Sequence, residues 1–272
     1  MKKIVFLDID GTLVNFNQQM PESTWKALKE ARENGHKLVL CTGRTYGHIY
    51  PWLLEIEFDA IVASAGAYVR VGKEVLYHHV IDFEKMKGLL KLLQKHKIDY
   101  LLQGLYGRMV PKECIKGIED HFAAINPDYN RHLDGMELIE DISEKHIIES
   151  IMYFNSNVGI GQLQKEIDEE LDGYFCVTGA SYETDREHNG EITCQGINKA
   201  DGMKRVVEHF SLNPTQVIAF GDGPNDFEML QYAQMGVAMG NAVESLKTKA
   251  DYVTDDMEQD GIYNAFVHLG LI

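Results

Sequence analysis

Short apolar runs rich in β-branched residues alternate with stretches of helical spacing along most of the chain. Lys3-Ile-Val-Phe-Leu7 is apolar from Ile4 onward, the pattern of a strand buried on both faces of a parallel sheet, and it ends abruptly at Asp8-Ile-Asp-Gly-Thr12. Trp25, Ala27, Leu28 and Ala31 then recur at helical spacing, opened by Pro21-Glu22 and stopped by Asn34-Gly35 in the manner of a C-cap. A second strand is predicted over 37–40, a helix over 46–54 perturbed by Pro51, and a third strand over 60–63. Strands that alternate with helices imply a parallel α/β sheet, in which ligands gather at the carboxyl ends of the strands. Asp8, Asp10 and Thr42 all fall at such ends.

The rhythm then changes. Residues 68–71 and 74–77 flank Gly72-Lys73 as a hairpin, and from about Asp82 a second unit begins. It opens with a helix whose apolar face is Phe83, Met86, Leu89, Leu90 and Leu93. Strand-like runs follow near 100–105 and 146–154, then a helix near 161–171 and strands near 174–177 and 181–185. The alternation resumes with a helix over 198–210 and a strand over 216–220. Next come a helix over 226–233, a strand over 235–239, a helix over 243–250, a short strand over 251–254 and a closing helix over 261–269. The pattern predicts one α/β core, 1–81 and 189–272, split by an inserted α+β domain, 82–188.

Composition narrows the function classes. With 44% hydrophobic and 25% charged residues in 272, the chain is an ordinary globular sequence able to bury a sizeable core. Its formal charge of −16 repels a polyanion, so no nucleic-acid partner is expected. No stretch approaches the roughly 18 apolar residues of a membrane span, and the start of the chain lacks the pattern of a signal peptide, so no membrane partner is expected either. Cys41, Cys114, Cys176 and Cys194 stand far apart with no zinc or redox spacing, which reads as reduced thiols in a cytoplasmic protein.

Chemistry enters at the strand ends. Asp8 and Asp10 lie two apart, so both can face one ligand; one carboxylate can act as a phosphoryl nucleophile while the other moves a proton. On that pair alone a polar turn is the simpler reading. A second cluster shifts the balance: Phe220-Gly-Asp-Gly-Pro-Asn-Asp226 also follows an apolar strand, and Asp8 with Asp222 supplies the oxygen ligands that a hard cation such as Mg²⁺ takes. Asp226, at the head of the next helix, reads equally as a cap or as support for the metal site. Lys199 sits where a helix begins, where its charge opposes the dipole, so pairing with Asp8 and a phosphoryl oxygen explains it better than a structural role. Thr42 and the Gly43 N–H can donate to the same group.

The series Asp8-Ile-Asp-Gly-Thr-Leu13, Thr42-Gly-Arg44, Lys199 and Gly221-Asp-Gly-Pro-Asn-Asp226 closely resembles the four motifs of the haloacid dehalogenase superfamily. Within it, the long segment between the second and third motifs resembles the Cof-type phosphatases. The resemblance implies a Rossmannoid parallel-sheet core with an inserted α+β cap domain of the C2B kind. It also implies Mg²⁺-dependent hydrolysis of small-molecule phosphate monoesters, a sugar phosphate or a related metabolite, through an aspartyl-phosphate. Asp8 then matches the nucleophile and a metal ligand. Asp10 matches the general acid and base whose backbone carbonyl also ligates the metal, and Asp222 matches the remaining ligand. Ile9, Thr42, Gly43, Lys199 and Asn225 match phosphate-binding positions, and Asp226 a carboxylate that positions Lys199 or metal-bound water. Two positions depart from the pattern: Ser64-Ala-Gly-Ala67 has Ala65 where Asn is frequent, and Ala200 stands where Gly is common.

Other readings predict different behaviour. A signalling receiver shares the phosphorylated Asp and the metal, but needs neither Asp10 nor a large insertion. A phosphometabolite-binding regulatory protein would bind without turnover, and a phosphotransferase or mutase would pass the phosphoryl group to a sugar hydroxyl. In the insertion, Arg108, Arg131, Arg186 and His188 are candidates for reading the substrate, although a solvated surface role is the simpler reading for each. Oligomeric state has no signature in the sequence.

Overall fold

The computed structural model describes residues 2–15, 17–125, 135–179, 185 and 187–272. Strand β1 (Ile4–Leu7) is buried at every residue, as its unbroken apolar run requires. It pairs in parallel with β2 (Lys37–Cys41) on one side and β12 (Val217–Gly221) on the other, Leu7 lying level with Leu40 and Phe220. The register therefore brings Asp8, Thr42 and Asp222, the residues that follow these strands, to one edge of the sheet.

Beyond β2 lie β3 (Ala60–Ala63) and the antiparallel hairpin β4 (Tyr68–Val71) and β5 (Glu74–His78). Beyond β12 lie β13 (Met235–Ala238) and β14 (Tyr252–Val253). Among the described residues the order is β14-β13-β12-β1-β2-β3-β4-β5. The winding reverses between β1 and β12, the switch point at which open α/β sheets form a crevice.

Helices cover the sheet because alternate strand residues point to opposite faces. On one face, Met203, Val206 and Val207 of α6 (Lys199–His209) and Met229 and Leu230 of α7 (Phe227–Tyr232) bury against Phe6, Val39, Val62 and Ala219. Elsewhere α1 (Glu22–Glu33) packs against α9 (Gly261–His268) and β2. The helix expected over 46–54 is broken: a 3₁₀ turn covers Tyr46–His48, and α2 (Pro51–Leu54) starts afresh. Pro51 has no N–H to give a preceding turn and a φ suited to the first helical position, so it opens a helix instead of continuing one. A short helix, α8 (Glu244–Lys247), occupies part of the segment expected over 243–250.

Two compact units partition the chain: 1–44, 49–78 and 198–272 form the larger, and 45–48 with 79–197 the smaller. The smaller has its own sheet, with order β10 (Phe175–Gly179), β11 (Gly190–Cys194), β9 (Ile148–Phe154), β6 (Asp99–Gly104), β7 (Gly107–Pro111), β8 (Glu137–Ile139). All its pairs are antiparallel except β7 with β8. Met86, Leu89 and Leu93 of α3 (Phe83–Lys95) and Leu163, Ile167 and Leu171 of α5 (Ile160–Leu171) share one core with Leu101, Leu102, Ile151 and Phe175. Asp82 caps α3, its Oδ1 accepting from the Lys85 N–H at 3.0 Å, a contact worth about 1 kcal/mol.

The sequence pattern carries no expectation for β7, β8, β11 or α4 (Ile115–Ile125). Strand β11 falls within 189–272, the stretch expected in the core, yet it pairs with β9 and β10 and so clusters with the smaller unit. Arg131, Arg186 and most of the strand expected over 181–185 lie outside the described residues.

Candidate active site

Asp8 follows β1 and is almost fully buried, and Lys199, the first residue of α6, is 1% exposed. The Lys199 ammonium donates to Asp8 Oδ1 at 2.6 Å and to Asp226 Oδ1 at 2.5 Å. The other oxygen of Asp226, Oδ2, accepts from the backbone N–H groups of Asp222 and Gly223 at 2.9 and 3.0 Å. Asp226 therefore ties the turn after β12 to the head of α6. Asn198 caps that helix, its side chain accepting from the Asp201 N–H at 3.1 Å, which fixes the first turn from which Lys199 extends.

Asp222 is reached by the Thr12 hydroxyl, which donates to Oδ1 at 3.0 Å. The Asn241 amide, after β13, donates to the Gly11 carbonyl at 2.7 Å and steadies the same loop. Thr42 is buried; its Oγ1 accepts from the Arg44 N–H at 3.1 Å. Asn225 lies close to Gly43, where an added Cβ would meet its Nδ2 at 3.5 Å. Ile9 is buried, and its carbonyl accepts from Leu13 and Val14 N–H groups, closing the loop after β1.

Asp10 is placed differently. Arg44 grips its side chain from Nε at 2.6 Å and Nη2 at 2.7 Å, and Asp10 remains 43% exposed while Arg44 is 20% exposed. Burial opposes the charge on Arg44, but the hydrogen bonds and charge of Asp10 outweigh it and hold the guanidinium above its ordinary range. Arg44, Thr12 and Asn241 carry no expectation from sequence as site residues. Thr12 and Arg44 fall inside the first two motifs without a role there, and Asn241 is signalled only as a polar position beside Gly240 after a strand.

Ala65 also gains a physical reading. Ser64 and Ala65 both adopt left-handed backbone, φ 49° and 50°, followed by Gly66 at 105°. In that conformation the Ser64 N–H donates to the Arg44 carbonyl and the Ala65 N–H to the Thr42 carbonyl, at 2.8 and 3.0 Å. Asn tolerates left-handed backbone better than Ala, so an Asn at this position would suit the turn by its backbone alone.

Electrostatically the site is short of positive charge. Ligand oxygens of Asp8, Asp222 and Asp226 lie within 4.8 Å of one another. Burial pushes the Asp8 carboxyl up to about 7 against the attraction of Lys199, with Asp226 and Asp10 adding to the rise. Burial, Asp8 and Asp226 push Asp222 up to about 8. Lys199 is opposed by burial, but Asp226 and Asp8 hold it above its ordinary value. With all three carboxylates ionised, one ammonium would leave two negative charges, and every donor is oxygen; a hard divalent cation would meet both conditions. Asp226 has its oxygens committed to Lys199 and the turn, so Asp8 and Asp222 are the carboxylates available to such an ion.

Comparison with known proteins shows the family. A model of the haloacid dehalogenase-like hydrolases matches residues 5–266. YkrA of Bacillus subtilis strain 168 is 30% identical over 99% of this chain and 98% of its own length. The same organism's 5-amino-6-(5-phospho-D-ribitylamino)uracil phosphatase YitU is 27% identical, covering 95% of this chain and 94% of that protein. Among solved structures, the subclass IIB sugar phosphatase BT4131 superposes with a TM-score of 0.81 at 30% identity, covering all of both chains.

Proposed function

Because the chain belongs to the haloacid dehalogenase-like hydrolase family and is a phosphatase of that family, we propose that it hydrolyses phosphate monoesters of small metabolites, sugar phosphates or their relatives, by way of a phosphorylated Asp8. The observation that carries the reading is the buried Lys199 ammonium held between Asp8 and Asp226. A buried cation so placed orients a carboxylate and offsets the repulsion between it and an anionic ester.

In the first half-reaction an Asp8 oxygen attacks phosphorus in line, the ester P–O bond breaks, and Asp10 gives its proton to the departing oxygen. In the second, water attacks the same phosphorus, its proton passes to Asp10, and the bond to Asp8 breaks to release inorganic phosphate. The Thr42 hydroxyl, the Gly43 and Ile9 N–H groups, the Asn225 amide and Lys199 hold the phosphoryl oxygens, so most of the catalysis is positioning and charge stabilisation. The carboxylates of Asp8 and Asp222 and the backbone carbonyl of Asp10 would hold a divalent cation, Mg²⁺ on this reading. When bound, it supplies positive charge to the phosphoryl oxygens. Asp226 acts through Lys199. The four cysteines are free thiols, in keeping with a reducing compartment, the cytoplasm.

The test is phosphate release from a panel of small esters with and without Mg²⁺. Metal-dependent release is expected, with Asp8→Asn lowering kcat/KM about a thousandfold or more, as loss of a nucleophile does. Binding of esters without any release would point to a sensing protein, and release only onto an added sugar acceptor to a phosphotransferase or mutase.

A further inference from the structure

Arg44 is held more firmly than a surface arginine needs to be. Its Nε and Nη2 donate to the two oxygens of Asp10, at 2.6 and 2.7 Å. Nη2 also donates to the Tyr50 hydroxyl at 2.5 Å, and the guanidinium lies 4.2 Å over the Tyr50 ring. Tyr50 in turn stacks on Trp52, ring centroids 5.8 Å apart and planes 11° apart. The arginine is thus fixed from behind, and its fork fixes the plane of the Asp10 carboxylate. A side-on fork uses one lone pair on each oxygen and needs neither oxygen to present a proton toward it. A second lone pair on each oxygen stays open to another donor.

That arrangement fits one of the two tasks assigned to Asp10. After the first half-reaction Asp10 has given up its proton and must accept one from water, and the fork fixes the orientation of the carboxylate that does so. We propose that Arg44 is a positioning residue for the second half-reaction, setting Asp10 to take the proton from the water that attacks phosphorylated Asp8. The assignment rests on the phosphatase reading of Asp8 and Asp10. An ester whose leaving group is as acidic as p-nitrophenol needs little proton donation, so with that ester loss of the fork falls on hydrolysis of the aspartyl-phosphate and not on its formation.

The experiment uses p-nitrophenyl phosphate with saturating Mg²⁺, stopped-flow absorbance, and acid quench followed by intact mass. In Arg44→Gln, a burst of nitrophenolate approaching one per active site is expected, and the quenched protein carries a phosphoryl group that the wild type does not accumulate. Steady-state kcat falls by about ten- to a hundredfold, the scale of a general base losing its position. KM falls in the same proportion, so kcat/KM changes by less than about twofold. Arg44→Lys behaves like Arg44→Gln, because an ammonium keeps the charge but has no fork. Tyr50→Phe, which keeps the ring and loses the hydroxyl, shows the same signs at smaller size, and carries the test should Arg44→Gln fail to fold. A fall in kcat/KM that matches the fall in kcat, with no phosphorylated protein, overturns the proposal. Asp8-dependent turnover in the wild type without accumulation in the variants overturns the Arg44 assignment alone, whereas a wild type that turns over independently of Asp8 overturns the phosphatase mechanism beneath it.

Discussion

Asp8 answers two opposing demands. On the proposed mechanism it must be ionised to attack phosphorus, yet burial pushes its carboxyl up to about 7 and that of Asp222 up to about 8, from an ordinary value of 3.8. Between those values the folded protein holds protons that the unfolded chain has released. Each buried carboxyl therefore contributes its stability at low pH and loses it as pH rises through about 7 and 8. A divalent cation held by these carboxylates would replace those protons, so its stabilising effect would grow as pH rises. Calorimetric melting with and without Mg²⁺ is expected to show a larger gain at about pH 8 than at about pH 5.5, where protons compete for the same oxygens; equal gains would contradict the assignment of Asp8 and Asp222 as ligands. At this scale the acids and Lys199 are legible in sequence, because an ionisable residue that ends an apolar strand or opens a helix stands out from its surroundings. Arg44 is less legible, because its partner Asp10 lies 34 positions away and only folding makes them neighbours.

Among the elements, α6 depends on a residue far from it in sequence. Gly66 has a φ of +105°, and a Cβ there would stand 2.2 Å from the carbonyl oxygen of Asn198, the cap of α6. Gly66→Ala must therefore both strain its own turn and displace the helix start that carries Lys199. A destabilisation of about 1–3 kcal/mol is expected by chemical denaturation. Phosphate release should fall further than the folded fraction does; full activity per folded molecule would break the link from Gly66 through Asn198 to Lys199. Continuous apolar runs revealed β1 and β2, and apolar positions of period 3.6 revealed α3 and α5. In 46–54, where Pro51 was expected to perturb a helix, its missing N–H goes further and divides the segment into a 3₁₀ turn and α2. Strand β11 carries no expectation from sequence because a short strand's partners, here β9 and β10, are not written in its own residues.

For the molecule as a whole, the two units each bury their own core, and Asp8, Asp222, Asp226 and Lys199 all belong to the larger. Hydrogen exchange on adding Mg²⁺ is expected to gain protection in 1–44, 49–78 and 198–272 and to stay unchanged in 79–197; protection spread evenly over both units would place metal ligands outside the larger one. The sequence by itself determined the parallel α/β character, the insertion and the acids at the strand ends, because burial and strand period leave a local imprint at every few residues. Only the tertiary structure decided the switch point between β1 and β12, the burial of Lys199 between two carboxylates, and the grip of Arg44 on Asp10. Those depend on distances between residues remote in sequence, and it is the loss of water around them that turns ordinary side chains into a charged site short of two positive charges.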